Sequence, residues 1–309
     1  MFASYLSSLP GAVALGAIWG IMAIGVYITF RVLNIADLTV DGSFATGGAV
    51  SAIIILNTGN VFLAILLGFI AGLLCGLVTG LLHTLLGIPA ILAGIITQLS
   101  LWSINLKIMG SKANQAIPAM SNNVIFSQLD VGDTLWKIAI IIIALILVLY
   151  YFFGTELGCS IRATGNNINM SKAQGINVNL NKIIGLMLSN GLVALSGALL
   201  AQYQGFADIN MGRGAIVIGL CAVIIGEIVV SKISKNFAVQ LLGMIIGGII
   251  YYFVFQSIVF LGVDTDLLKM LSAVVVALFL GVPYLKSTLS PRFKRWKENR
   301  KARLVGEEK

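Results

Sequence analysis

The chain has 309 residues, of which 58% are hydrophobic and 10% are charged, and its mean hydropathy is +0.99. This composition, with 34 glycines, excludes an ordinary soluble domain and is typical of a polytopic membrane protein with closely packed helices. The net charge is +8, and much of it lies in a basic tail at residues 286–309, after the last apolar segment. Anionic lipids and the positive-inside rule explain such a tail, so we expect membrane lipids and no nucleic acid as its partner.

About nine apolar windows are long enough to cross roughly 30 Å of hydrocarbon. They fall at 11–30, 42–57, 61–86, 89–108, 136–153, 183–203, 213–230, 237–261 and 267–285. We therefore predict an all-α membrane domain at residues 1–285. If every window crosses, most lysines and arginines fall on one side of the membrane, which is then the cytoplasm. This predicts an external N-terminus, an external loop at 109–135 and a cytoplasmic C-terminus.

The longest polar interruption lies at residues 154–182, on the predicted cytoplasmic side. Asn166 or Asn167 can cap a helix over 168–174, and Gly175 stands where a helix ends in a left-handed residue. A turn between two spans needs only a few residues, so a capped helix in a long loop favours a docking surface. An ordered loop without a partner remains the alternative.

Two segments of the chain resemble each other. IADLTVDGSFATGGAVSAII, from Ile35, aligns without gaps to FADINMGRGAIVIGLCAVII, from Phe206, and shares an Ala-Asp pair, a later glycine and the closing Ile-Ile. The predicted topology places the two pairs near opposite membrane faces, so we predict inverted repeats at about 11–108 and 183–285. Such repeats are typical of transporters, although chance similarity between glycine-rich apolar segments remains the alternative.

Polar side chains crowd the break between spans in both segments. An ionisable group at membrane depth is costly unless it faces protein or a water-filled cavity, so we predict that these residues line a solute pathway. The predicted lining residues are Asn34, Asp37, Thr39, Asp41, Phe44, Phe206, Asp208, Asn210 and Arg213. Asp208 and Arg213 fit equally well as loop residues among the lipid headgroups.

The chain has no motif for chemistry of its own. It contains no G-x-x-x-x-G-K-[ST] phosphate loop, no zinc-ligand spacing and no catalytic pair, so we expect neither an enzyme nor a metal site. The three cysteines are far apart, and the single histidine, His83, lies at the end of an apolar window. Glu227 is expected to pair with Lys232 or Lys235 near the cytoplasmic edge.

Three segments carry a family resemblance: GAIWGIMAIGVYITFRVLNIADLTVDGSFATGGAV, IRATGNNINMSKAQGINV and LVALSGALLAQYQGFADINMGRGAIVIGL. They resemble the permease subunit of ABC importers of the branched-chain amino acid and ribose type, the type II fold, and most resemble the tryptophan/tyrosine permease subgroup. The resemblance runs from about residue 16 to residue 284. Branched-chain permeases have Asn-Phe-Ala-His-Gly where this chain has Asn34 to Gly42, which favours an aromatic solute.

The resemblance implies that the 154–182 loop couples the permease to an ATPase. The residues that match the family's coupling segment, together with Met170 on the same face, are Arg162, Ala163, Gly165, Asn167, Met170, Ala173, Gly175 and Ile176. It also implies two permease copies in a bacterial plasma membrane, cytoplasmic ATPases that bind ATP and Mg²⁺, and an extracytoplasmic solute-binding protein or lipoprotein. This chain itself would bind no cofactor.

Several alternatives stay open at this point. The solute could be a branched-chain amino acid, a nucleoside or a sugar. The chain could form a channel or secondary carrier that works without ATP, or it could be a membrane anchor or assembly protein.

Overall fold

The computed structural model describes residues 2–117, 131–230 and 236–260, together with scattered residues between 267 and 281. Over these residues the chain forms ten α-helices, a π-helical turn and two short strands. The elements are α1 (Phe2–Tyr27), the π-turn (Ile28–Val32), α2 (Val40–Thr58), α3 (Val61–Thr84), α4 (Ala90–Ile108), β1 (Asn114–Ala116), α5 (Val131–Gly154), α6 (Glu156–Asn166), α7 (Ile168–Ala173), α8 (Val178–Gln204), β2 (Phe206–Asp208), α9 (Ala215–Val230) and α10 (Phe237–Phe260).

Among the described residues, seven helices are long and apolar enough to span a membrane, which confirms the predicted all-α polytopic class. They are α1 with its π-turn, α2, α3, α4, α5, α8 and α10. Helix α9, with 16 residues, is apolar but shorter, and it corresponds to the predicted window at 213–230. More than half of the ninth predicted window, 267–285, lies outside the described residues, and so does the whole basic tail.

Helices α1 and α8 form the interior of the protein, whereas α3, α4 and α5 lie towards its periphery. Most of the α1 and α8 residues are buried, including Ile18, Ile24 and Leu199, which have no exposed surface. The outer helices expose large apolar side chains, among them Phe62 on α3 and Leu99 on α4. In a bilayer these outer faces are suited to contact lipid or another apolar surface.

Small residues bring the central helices into backbone contact. A Cβ at Gly72 of α3 would lie 2.5 Å from Cβ of Ala194 on α8, so only glycine allows this approach. Where α8 crosses α1, the Ser189 hydroxyl donates to the Gly25 carbonyl over 2.7 Å. Close contacts and interhelical hydrogen bonds replace the hydrophobic effect as the force that holds membrane helices together.

The two strands form a small antiparallel sheet that the sequence analysis did not predict. Asn114 pairs with Asp208, and Ala116 pairs with Phe206. The sheet ties the loop after α4 to the segment between α8 and α9. It therefore fixes the start of the second repeated segment against the predicted external loop.

The chain separates into two compact units, at residues 1–261 and 262–309. All the long helices and both strands belong to the first unit. In the second unit the described residues are scattered and mostly helical.

Candidate functional site

The 154–182 loop folds as two consecutive helices, α6 and α7, where the sequence analysis predicted one. Thr155 caps α6, because its hydroxyl accepts a hydrogen bond from the Gly158 N–H. Asn167 caps α7, and its Oδ1 accepts from the Met170 N–H over 3.0 Å. Gly175 follows α7 with a φ of 75°, the left-handed conformation expected after a helix end. Of the two predicted caps, Asn167 is the one used.

Most of the predicted coupling residues on these two helices are exposed. Met170 is 62% exposed, and Ile176 is half-buried. The remaining predicted coupling residues that are exposed are Arg162, Ala163, Asn167, Ala173 and Gly175. Most of the predicted coupling residues are thus exposed, and we call the exposed residues of α6, α7 and the turn after α7 the α6–α7 surface.

Two contacts attach the α6–α7 surface to the membrane helices. Gly165 of α6 lies so close to the π-turn that a Cβ there would overlap the Val32 carbonyl and lie 2.8 Å from the Leu33 Cα. Asn181 of α8 donates to the Thr164 hydroxyl over 2.9 Å and accepts from the Ser160 hydroxyl over 3.2 Å. Helix α6 is therefore in direct contact with the π-turn that follows α1 and with the start of α8.

The first polar break follows the π-turn and leads into α2. Asn34 has a φ of 56°, which is unusual for a residue other than glycine, and its side chain is exposed. Asp37 is buried, with Oδ2 accepting from Asn190 Nδ2 over 2.7 Å and Oδ1 accepting from the Thr39 N–H over 2.8 Å. The extended segment between α1 and α2 is thus anchored on α8.

Threonine hydroxyls continue this network to two further helices. The Thr39 hydroxyl lies 2.8 Å from that of Thr79 on α3, which in turn donates to Thr97 of α4 over 3.0 Å. Phe44, one turn into α2, is fully buried and stacks on Trp19 with 4.8 Å between ring centroids. In this conformation Asp37, Thr39 and Phe44 contact protein rather than an open cavity.

The second polar break lies between β2 and α9. Asp208 turns the chain by accepting from the Asn210 N–H over 2.7 Å, and it also accepts a longer hydrogen bond from Asn114. Phe206, Asn210 and Arg213 are exposed. This break therefore keeps its polar groups more accessible than Asp37 and Thr39 of the first break.

The two breaks meet at the beginning of α9. The Asp41 carboxylate of α2 accepts from the N–H groups of Gly214 and Ile216, each over 2.9 Å. These N–H groups have no partner within their own helix, and a carboxylate suits the positive end of the helix dipole. Asp41 thus joins the two segments that the sequence analysis aligned as repeats.

Sequence reasoning missed several partners in these networks. Asn190, Thr79 and Thr97 occur singly inside apolar windows, and their polarity at membrane depth was the available signal. Glu227 pairs with Arg31 of the π-turn. The lysines proposed as its partners, Lys232 and Lys235, lie outside the described residues.

The helical fold, the α6–α7 surface and the two polar breaks are together typical of a polytopic membrane protein of the transporter class. Residues 9–282 match the family described as branched-chain amino acid transport system / permease component, and the chain belongs to this family. It is the permease component of an ABC transporter.

The relatives agree with this assignment. The chain is 38% identical over 284 residues to the tyrosine transport system permease protein of Clostridioides difficile, which covers 92% of this chain and 94% of the relative. It is 34% identical over 262 residues to an uncharacterized protein of Rickettsia prowazekii, and the match covers 84% of this chain and 92% of that protein. It is 28% identical over 265 residues to the ribose import permease protein of Escherichia coli, and the match covers 84% of this chain and 79% of that protein. No solved structure matches the chain.

Proposed function

We propose that this permease carries an aromatic amino acid, tyrosine or tryptophan, into the cell. The observation that supports this proposal is the similarity to the Clostridioides difficile tyrosine permease along nearly the full length of both chains. Branched-chain amino acids rank second, in keeping with the family description. Sugars and nucleosides rank third, since the ribose permease is a more distant relative.

The α6–α7 surface is the proposed docking site for a cytoplasmic ATPase. Its support is the exposure of Met170 and Ala173 together with the rigid attachment of Gly165 to the π-turn. ATP and Mg²⁺ bind to the ATPase, and this chain hydrolyses nothing. This assignment requires a cytoplasmic C-terminus and an external N-terminus.

The proposed pathway forms between two copies of this chain, which receive solute from an extracytoplasmic binding protein. Its proposed lining consists of nine polar and aromatic residues at the two breaks: Asn34, Asp37, Thr39, Asp41, Phe44, Phe206, Asp208, Asn210 and Arg213. Asp37, Thr39 and Phe44 are buried in the single chain, so they reach solute only when the two breaks separate. The Asp41 contact with α9 is the proposed point of separation, because Asp41 holds the start of α9 there through two hydrogen bonds.

Uptake measurements test the proposed solute. Cells with and without the gene are given radiolabelled tyrosine, tryptophan, leucine and ribose in separate assays. We expect loss of tyrosine or tryptophan uptake, with leucine and ribose uptake unchanged. Loss of ribose uptake alone would contradict the proposed solute but would leave the assignment as a permease unchanged.

Reconstitution separates the remaining classes of function. In liposomes, the permease alone is expected to be inactive, and transport should require the ATPase and ATP. Transport by the permease alone would indicate a channel or secondary carrier. Unchanged uptake of every tested solute after deletion would indicate an anchor or assembly role.

A further inference from the structure

Two neighbouring cavities open beside the α6–α7 surface, and they share Arg162 and Phe237. One has a volume of about 710 Å³ and is lined mainly by the end of α5; the other has a volume of about 430 Å³ and lies between the π-turn, α6 and α10. Because Arg162 and Phe237 line both, the cavities are adjacent parts of one surface feature. Of the residues at the polar breaks, the smaller cavity includes Asn34 alone, and neither cavity is lined by a residue of α7.

The smaller cavity is polar and cationic. It contains the guanidinium groups of Arg31 and Arg162, together with Asn34, Asn166 and Gln240. Arg31 forms an ion pair with Glu227, while the Arg162 guanidinium lies 5.3 Å from the centroid of the Phe237 ring. One of the two positive charges is thus balanced, whereas the exposed Arg162 pairs with no carboxylate among the described residues and is available to an anion.

The larger cavity is apolar and faces outward. Its walls include Leu147, Tyr150 and Tyr151, which are respectively 62%, 49% and 79% exposed. Tyrosines at the end of a spanning helix are typical of the level of the lipid headgroups, and the leucine one turn earlier lies at acyl-chain depth. The larger cavity, which we also call the apolar groove, therefore runs from the hydrocarbon region towards the proposed cytoplasmic interface.

We propose that the paired cavities bind one anionic glycerophospholipid of the cytoplasmic leaflet. Its phosphate would contact Arg162 in the polar cavity, and an acyl chain would lie along α5 in the apolar one. Basic pockets between helices on the cytoplasmic side suit anionic headgroups, and an adjoining apolar groove distinguishes a lipid from a soluble anion. The lipid would then contact α6, the helix that packs on the π-turn through Gly165.

This inference goes beyond the proposed transport function and does not depend on the solute. Native mass spectrometry of the purified permease measures bound phosphatidylglycerol and phosphatidylcholine at equal concentrations. We expect phosphatidylglycerol to bind preferentially and Arg162→Gln to lower its affinity about fivefold, the factor that corresponds to ~1 kcal/mol for one basic group at an anionic surface. Arg162→Lys, which keeps the charge, should retain most of the binding.

Matched controls make the outcome specific. Lys172→Gln removes an exposed cation from α7, outside both cavities, and should leave phosphatidylglycerol binding unchanged. Tyr151→Ala tests the apolar groove and should weaken binding while the charge is intact. Equal binding of both lipids, or equal effects of Arg162→Gln and Lys172→Gln, would overturn the proposal.

Three other results would assign the cavities to a different occupant and also overturn the proposal. Displacement of the lipid by soluble glycerol phosphate would indicate a site for the phosphate group alone. Displacement by the purified ATPase would indicate an acidic side chain of that partner. Lipid binding to the permease monomer but not to its dimer would indicate that the second copy covers the groove.

Discussion

Asp37 shows how a single carboxylate is accommodated inside the membrane domain. Its side chain has 2% exposure, yet both carboxylate oxygens accept hydrogen bonds, one from Asn190 and one from the Thr39 N–H. Buried polar groups are tolerated when they are paired, and here the pairing also joins the segment before α2 to α8. The residue therefore has a clear role in positioning α2.

Replacement of Asp37 by alanine tests this role. Two buried donors would lose their acceptor, and each unsatisfied group costs about 1–3 kcal/mol. We expect Asp37→Ala to lower the melting temperature of the detergent-solubilised permease, measured by thermal unfolding at constant protein concentration. Asp133→Ala is the control, because Asp133 forms an exposed pair with Lys137 and should contribute little to stability. Equal melting temperatures for the two variants would contradict the positioning role.

At the scale of elements, the contact between α6 and the π-turn is one direct connection from the α6–α7 surface to the membrane helices. Gly165 provides it because it has no side chain, which allows α6 to lie against the Val32 carbonyl. Beyond the π-turn, the chain continues through Asp37 to α2, whose Asp41 contacts the start of α9. A displacement of α6 can thus reach both polar breaks through packed elements.

Gly165→Ala should weaken this route. The added Cβ overlaps backbone atoms, and such overpacking typically costs about 1–3 kcal/mol, so α6 should shift away from the π-turn. We expect the reconstituted complex to lose much of its solute-stimulated ATP hydrolysis while the permease still inserts into the membrane. Gly154→Ala, on the same loop, meets no atom within 4 Å and should be silent. Normal stimulation in Gly165→Ala would show that α6 does not transmit movement through this contact.

At the scale of the whole molecule, the proposed orientation rests on the positive-inside rule, which places α6 and α7 in the cytoplasm. The native cysteines provide a probe, because Cys159 of α6 is exposed whereas Cys75 and Cys221 are buried. Lys112, in the loop after α4, is exposed and lies on the predicted external side. Labels on these two positions should therefore report opposite faces of the membrane.

An impermeant maleimide distinguishes the two orientations. In intact spheroplasts we expect labelling of Lys112→Cys in a Cys159→Ser background and no labelling of Cys159 in the native chain. Inside-out vesicles should give the reverse result. Labelling of native Cys159 in spheroplasts would reverse the orientation and would remove the basis for placing the ATPase at α6 and α7.

The sequence by itself determined the features that depend on composition and on nearby residues. Apolar windows longer than the hydrocarbon thickness predicted the all-α membrane class, and the three quoted segments indicated the permease family, both now confirmed. Asn167 and Gly175 were identifiable because caps and left-handed helix ends depend on residues within one turn. The sequence similarity of the two segments likewise needed no coordinates.

Only the tertiary structure decided which distant residues meet. Asn190 as the partner of Asp37, Asp41 as the cap of α9 and Arg31 as the partner of Glu227 are separated along the chain by more than 150 residues each. The contact of α6 with the π-turn likewise joins residues that are distant in the sequence, Gly165 and Val32. Sequence patterns report local preference and average burial, whereas long-range polar pairs depend on how close glycines allow the helices to approach.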